Sequence, residues 1–135
     1  MINRICISIN NRCNLACRYC HFREKGKIES SDMNVFEILD NVKAYATQKF
    51  KIGFVGNGEG FLDWELLKSY IKYIEDNPFI SAYTITNGTI RLPDDDIRFL
   101  EDHHINVGFS IDGNKKLHDY YRCNSFDSAV SNVEY

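Results

Sequence analysis

Three of the chain's five cysteines, Cys13, Cys17 and Cys20, fall within eight residues at the spacing C-x3-C-x2-C. In a reducing compartment such crowding reads as a metal or catalytic site rather than a disulfide framework. Thiolates are the natural ligands of iron–sulfur clusters. A four-iron cube held by three thiolates leaves one iron with an open position, the mark of a reactive rather than a structural metal. Two other chemistries draw on the same residues. Structural zinc would take the three cysteines together with His21 or His118. Cys17-Arg18-Tyr19-Cys20-His21 also matches the C-x-x-C-H pattern of haem attachment, which leaves Cys13 unused. Cys6 and Cys123 stand apart and are expected to be buried, inert thiols.

Further candidates sit in three short segments. Gly56-Asn57-Gly58-Glu59-Gly60 is rich in glycine, which lets main chain approach a ligand closely. Thr86-Asn87-Gly88-Thr89 carries an Asn-Gly turn signal. Ser110-Ile111-Asp112-Gly113 precedes His118-Asp119-Tyr120-Tyr121-Arg122, where Arg122 has the planar fork that grips a carboxylate with two hydrogen bonds. Asp112, just before a glycine, suits a ligand contact and equally an ordinary turn. Other polar clusters read as background. His103-His104 is expected to be a solvated pair complementing a helix end. Arg23-Glu24-Lys25-Gly26-Lys27 reads as a solvated loop, and Trp64 as core at a helix start.

The elements that must position these residues follow from hydrophobic period. Ile5, Ile7 and Ile9 alternate as a half-buried strand that runs into the cysteine loop. Ser31-Asp32 offers an N-cap for a helix carrying Val35, Phe36, Ile38, Leu39, Val42, Tyr45 and Ala46. Lys51 to Val55 is the second strand, and Asp63 the expected cap of a second helix with Leu66, Leu67, Tyr70, Ile71 and Ile74 inward. Ile80 to Thr86 is the third strand, stopped by Asn87-Gly88. Pro93 and the acidic Asp94-Asp95-Asp96 suit the positive start of a third helix, with Ile97 and Leu100 inward. Ile105 to Ile111 is the fourth strand, and Ser125 or Asp127 opens a last helix. Strands alternating with helices imply right-handed crossovers, a parallel sheet and functional loops at the carboxyl ends of the strands. All the chemically unusual segments fall in those loops. The expected organisation is one α/β domain spanning residues 1–135.

With 135 residues, 44% apolar and 26% charged, the composition is that of an ordinary globular protein. A net charge of −3 gives no electrostatic reason to expect nucleic acid or an anionic membrane as partner. No apolar run approaches a bilayer span, and the first six residues, Met1-Ile2-Asn3-Arg4-Ile5-Cys6, lack an export pattern, so the cytoplasm is the expected compartment.

The cysteine loop after the first strand, with Tyr19 just before the third cysteine, resembles the signature of the radical S-adenosylmethionine (radical SAM) superfamily. That resemblance implies a partial (β/α) TIM-like barrel of about four βα units, the front portion of a core that generally has six. It implies a [4Fe–4S] cluster on Cys13, Cys17 and Cys20, with S-adenosylmethionine chelating the open iron. One electron would split the sulfonium bond and release a 5′-deoxyadenosyl radical that abstracts a substrate hydrogen. Gly58-Glu59 lies where the family has a glycine-glycine-glutamate-proline stretch holding the S-adenosylmethionine amino group. Here Asn57 replaces the first glycine and Gly60 the proline. The loop containing Asn87 borders the cofactor in the family, and Tyr19 is expected beside the cluster or adenine.

Ser110, Asp112, Arg122 and their surroundings resemble the peptide- and protein-modifying branch, which includes the anaerobic sulfatase-maturating enzymes. There the serine and arginine help hold the ribose and carboxylate. The implied partners are a peptide or protein substrate and a reductant protein such as flavodoxin or ferredoxin. A C-terminal region or separate partner would complete the barrel, because a sheet ending at strand four has an open edge. The rival expectations are a non-catalytic zinc-stabilised binding module and an inactive remnant.

Overall fold

The computed structural model describes residues 2–10, 13–18, 20, 34–56 and 58–134. Four strands, β1 (Arg4–Cys6), β2 (Phe50–Phe54), β3 (Ile80–Thr86) and β4 (Asn106–Phe109), form one parallel sheet in the order β1-β2-β3-β4. The helices are α1 (Val35–Tyr45), α2 (Trp64–Ile74), α3 (Asp94–Asp102), α4 (Lys115–Tyr121) and α5 (Phe126–Glu134). This is the α/β arrangement with a parallel sheet that the strand–helix alternation predicts, with β1 and β4 at the two edges.

Register explains which face is buried. Ile5, Ile52 and Ala82 are aligned across the sheet, as are Phe54, Thr84 and Val107 one row further on. Ile52, Phe54 and Ala82 form the core with Leu39 of α1 and Leu67 and Ile71 of α2, with Ile5 and Val107 packed against its margin. Leu39, Ile52 and Leu67 are wholly removed from water, each worth about 1.5–3 kcal/mol of apolar transfer. The opposite face presents Arg4, Cys6, Lys51, Ser81 and Ile85 exposed. Trp64 packs edge-on between Phe61 and Phe99, in the core as its position suggests.

Several local expectations need correction. The cap of α1 is Asn34, whose side chain accepts from the Glu37 N–H; Ser31-Asp32 lie outside the described residues. Asp63 occupies the N-cap position of α2 but makes no cap bond, because its carboxylate accepts from Asn10 Nδ2 at 2.8 Å. His103 is not simply solvated: its ring nitrogens contact Phe99 O at 2.8 Å and Glu75 Oε2 at 2.7 Å. His104 follows the C-cap of α3 in the left-handed region, with φ 55. Cys6 and Cys123 are exposed rather than buried. Cys6 lies on the uncovered face of the sheet, and Cys123 sits in a left-handed turn with φ 58. The segment containing His118 is helix α4, begun by Asn114, whose side chain accepts from Leu117 N. Arg23–Lys27 lie outside the described residues. Among the described residues no helix is long and apolar enough to cross a membrane.

Candidate functional site

The site assembles where the loops leaving the four strands meet. Gly56 lets the first two loops touch, since a Cβ there would stand 2.2 Å from Ser8 Cβ. Asn10 then bridges them, its Nδ2 donating to Glu59 O and to Asp63 Oδ2, both at 2.8 Å. Glu59 is buried at 3% exposure. Its Oε1 accepts from Thr86 Oγ1 at 2.7 Å and Phe61 N at 3.2 Å, and its Oε2 from Asn87 N at 2.7 Å. One carboxylate therefore fixes the second loop and the start of the third together.

Asn87 carries that order to the cysteines. Its Oδ1 accepts from Thr89 N at 3.0 Å and Thr89 Oγ1 at 2.8 Å. Its Nδ2 donates to Asn14 Oδ1 at 2.8 Å and reaches Cys13 Sγ at 3.9 Å. Asn14 Nδ2 closes the ring onto Thr89 Oγ1 at 2.7 Å. Gly88 follows with φ +80, and a Cβ there would meet Phe109 and Ala129 at 2.9–3.0 Å, so only glycine fits this turn against α5.

The other side of the cysteine loop is held by Arg18. Its N–H donates to Tyr121 O at 2.9 Å and its Nε to Tyr120 O at 2.7 Å. Its guanidinium lies 4.2 Å from the Tyr120 ring centroid. These bonds satisfy carbonyls that the end of α4 would otherwise leave to water. Arg122, the next residue, gives its Nε to Asp112 Oδ2 at 2.8 Å. Asp112 N in turn donates to His118 Nδ1 at 3.1 Å, and His118 Nε2 meets Ser125 Oγ at 2.9 Å. His118 is fully buried, with both ring nitrogens engaged inside the protein.

Of the three clustered cysteines, Cys13 is exposed, Cys20 half-buried and Cys17 buried. Cys20 N donates to Cys17 O at 3.1 Å, and Leu15 N to Cys13 Sγ at 3.4 Å. Burial pushes the Cys17 thiol above its ordinary value, while the nearby Arg122 guanidinium pulls it down; Cys13, Cys123 and Cys20 push it further up. Cys17 thus lies within electrostatic reach of Arg122 and of the other two clustered thiols. Gly58 is half-buried beside Glu59, and Ser110 is half-buried, its N–H bonded to Thr86 O at 2.9 Å. Tyr19, His21 and Asn57 lie outside the described residues.

A family model described as the Radical SAM superfamily matches residues 7–135. The chain belongs to that superfamily. Among curated relatives of this radical SAM chain, a cysteine-type anaerobic sulfatase-maturating enzyme of Clostridium novyi (strain NT) is 27% identical over 93% of this chain and 37% of that protein. A serine-type anaerobic sulfatase-maturating enzyme of Klebsiella aerogenes is 32% identical over 84% of this chain and 30% of that protein. The chain therefore spans about a third of the length of these relatives. A solved structure of native anSMEcpe with bound AdoMet and Cp18Cys peptide superposes with a TM-score of 0.76 at 24% identity, over 97% of this chain and 38% of that one. BtrN in complex with AdoMet and 2-DOIA superposes with a TM-score of 0.63 at 19% identity, over 82% of this chain and 44% of that one. Both superpositions show the fold.

The residues present fit the iron–sulfur group that radical SAM proteins carry. Cys13 Sγ faces two N–H donors, the contacts a ligating thiolate accepts. His118, one histidine a zinc site would need, is already engaged on both ring nitrogens. Sequence reasoning missed the tying roles of Asn10, Arg18 and His118. Asn10 and Arg18 are polar residues close to the motif, but their partners lie 49 and 102 residues away. For His118 the available signal was the Asn114 cap.

Proposed function

We propose that Cys13, Cys17 and Cys20 hold a [4Fe–4S] cluster beside an S-adenosylmethionine site, forming the radical-generating part of a peptide- or protein-modifying enzyme. The observation that carries this is the family match over residues 7–135, with those cysteines in a loop tied to both neighbouring loops. When bound, the group supplies one-electron cleavage of S-adenosylmethionine to a 5′-deoxyadenosyl radical that abstracts a substrate hydrogen. The protein's part is to bind, orient and exclude water.

Gly58 presents backbone to the amino group, while Glu59 holds that backbone in place through its buried carboxylate. Arg122 serves the cofactor carboxylate, aimed by its bond to Asp112. Ser110 and Asp112 stand on the ribose side, Asn87 borders the site, and Tyr19 packs beside the cluster or adenine. A peptide substrate is supported by the sulfatase-maturating relatives and by the peptide bound in the similar structure. A small electron-transfer protein such as a flavodoxin or ferredoxin is the proposed reductant. Further polypeptide, from the same chain or a partner, would continue the sheet beyond β4.

The test is anaerobic reconstitution with iron and sulfide, followed by electron paramagnetic resonance of the reduced protein with and without S-adenosylmethionine. A [4Fe–4S] signal that changes with S-adenosylmethionine and is absent from the Cys13/Cys17/Cys20→Ala variant is expected. Stoichiometric zinc and no cluster would overturn the proposal in favour of a binding module.

A further inference from the structure

We infer that Asn87 is a tuning residue for the cluster: its side-chain amide donates to the Cys13 sulfur and raises the cluster's reduction potential. The inference rests on the proposed cluster site and goes beyond it, because it assigns an electronic role to a residue outside the cysteine motif. Its geometry is over-determined. The Asn87 backbone is fixed by its N–H to Glu59 Oε2 at 2.7 Å. The amide's orientation follows from its partners, since Oδ1 receives two donors from Thr89, at 3.0 and 2.8 Å. An oxygen accepts both, whereas an NH2 group there would oppose donor to donor.

The donor end must then face the cysteine loop. One Nδ2 hydrogen is accounted for by Asn14 Oδ1 at 2.8 Å, leaving the second for Cys13 Sγ at 3.9 Å. Thr89 Oγ1 gives its one hydrogen to Asn87 and accepts from Asn14 Nδ2 at 2.7 Å, so no assignment in the ring conflicts with another. The Leu15 N–H is the second donor to the same sulfur, at 3.4 Å. An N–H dipole aimed at a ligating sulfur stabilises the more negative, reduced cluster more than the oxidised one. Asn87 therefore makes the cluster easier to reduce, and Thr89 acts through it as a positioning residue.

The experiment is a dithionite titration of the reconstituted full chain, monitored by electron paramagnetic resonance, comparing the unmodified protein with Asn87→Leu, Asn87→Asp and Thr89→Val. Asn87→Leu is expected to lower the one-electron reduction constant about tenfold, a shift of about 59 mV to more negative potential. Asn87→Asp should fall further, because it puts an acceptor with negative charge where the donor stood. Thr89→Val should move in the same direction by less, since the Thr89 N–H still orients the amide. A purely structural role would lower cluster content without this ranking. Equal potentials in all four proteins overturn the inference while the cluster site stands. If Asn87→Leu holds no cluster, an unchanged potential in Thr89→Val overturns it. If the unmodified chain takes up no cluster, the proposed function fails and the inference with it.

Discussion

The cysteine loop is held on two sides by different kinds of contact. Towards β3 it meets a side-chain network, Asn14–Thr89–Asn87, that ends on the buried Glu59 carboxylate. Towards α4 it meets two backbone carbonyls at a helix end, one bonded by the guanidinium and one by the backbone N–H of the exposed Arg18. The first side is buried at its root, so each lost partner strands a polar group away from water. The second is wet, so water can replace what a substitution removes. The β3 side should therefore set stability, while the α4 side sets the local placement of Arg122.

The largest expected effect breaks the β3 side. In Glu59→Gln an NH2 group must face either the Asn87 N–H or the Thr86 and Phe61 donors. The expected loss is about 3 kcal/mol of unfolding free energy, measured by urea denaturation followed through the fluorescence of Trp64, the chain's one tryptophan. A loss below about 1 kcal/mol would show that the buried carboxylate is not the anchor. Arg18→Gln keeps the N–H bond to Tyr121 but removes the Tyr120 contacts. Its expected cost is about 1 kcal/mol, with faster amide hydrogen exchange across 119–124. The double variant should be additive within about 0.5 kcal/mol if the two sides are independent; strong coupling would merge them into one unit.

How far the sequence reveals this contrast depends on the distance between partners. β3 is legible to the residue because Ile80 to Thr86 is β-branched and aromatic and Asn87-Gly88 stops it. The order of βα units follows from period alone, and the three cysteines from their spacing. α4 is illegible to the same reasoning. It is seven residues long, exposes Leu117, Tyr120 and Tyr121, and buries His118, so it has no apolar stripe. The misplacement of Cys6 has a different cause. Alternation sets Cys6 on the face opposite Ile5 and Ile7, and the expectation of burial follows instead the general tendency of free cysteines. The long-range ties from Asn10, Arg18 and Glu59 exist only once the strands lie side by side.

The smallest effect sharpens the α4 side further, through pH. Asp119 on α4 accepts from the Phe126 N–H at 2.9 Å and so caps α5 from a neighbouring helix. That N–H, followed by the Lys115 ammonium, holds its carboxyl below the usual range. A carboxyl depressed in the folded state adds stability above its ordinary value, near 3.9, and loses it as pH falls through the lower folded value. The unmodified chain should therefore melt higher than Asp119→Asn at pH 6, with the gap closing towards pH 3. Protection of the Phe126 amide from hydrogen exchange, relative to its intrinsic rate at each pH, should fall over the same interval in the unmodified chain alone. Because Asp119 tethers α5 to the helix that carries Arg122 at its end, acid should loosen this side of the site first. A gap that stays constant from pH 6 to pH 3 would mean that the charge on Asp119 contributes nothing to the cap. The Arg122 side chain would then be held by its bond to Asp112 whatever the charge on Asp119.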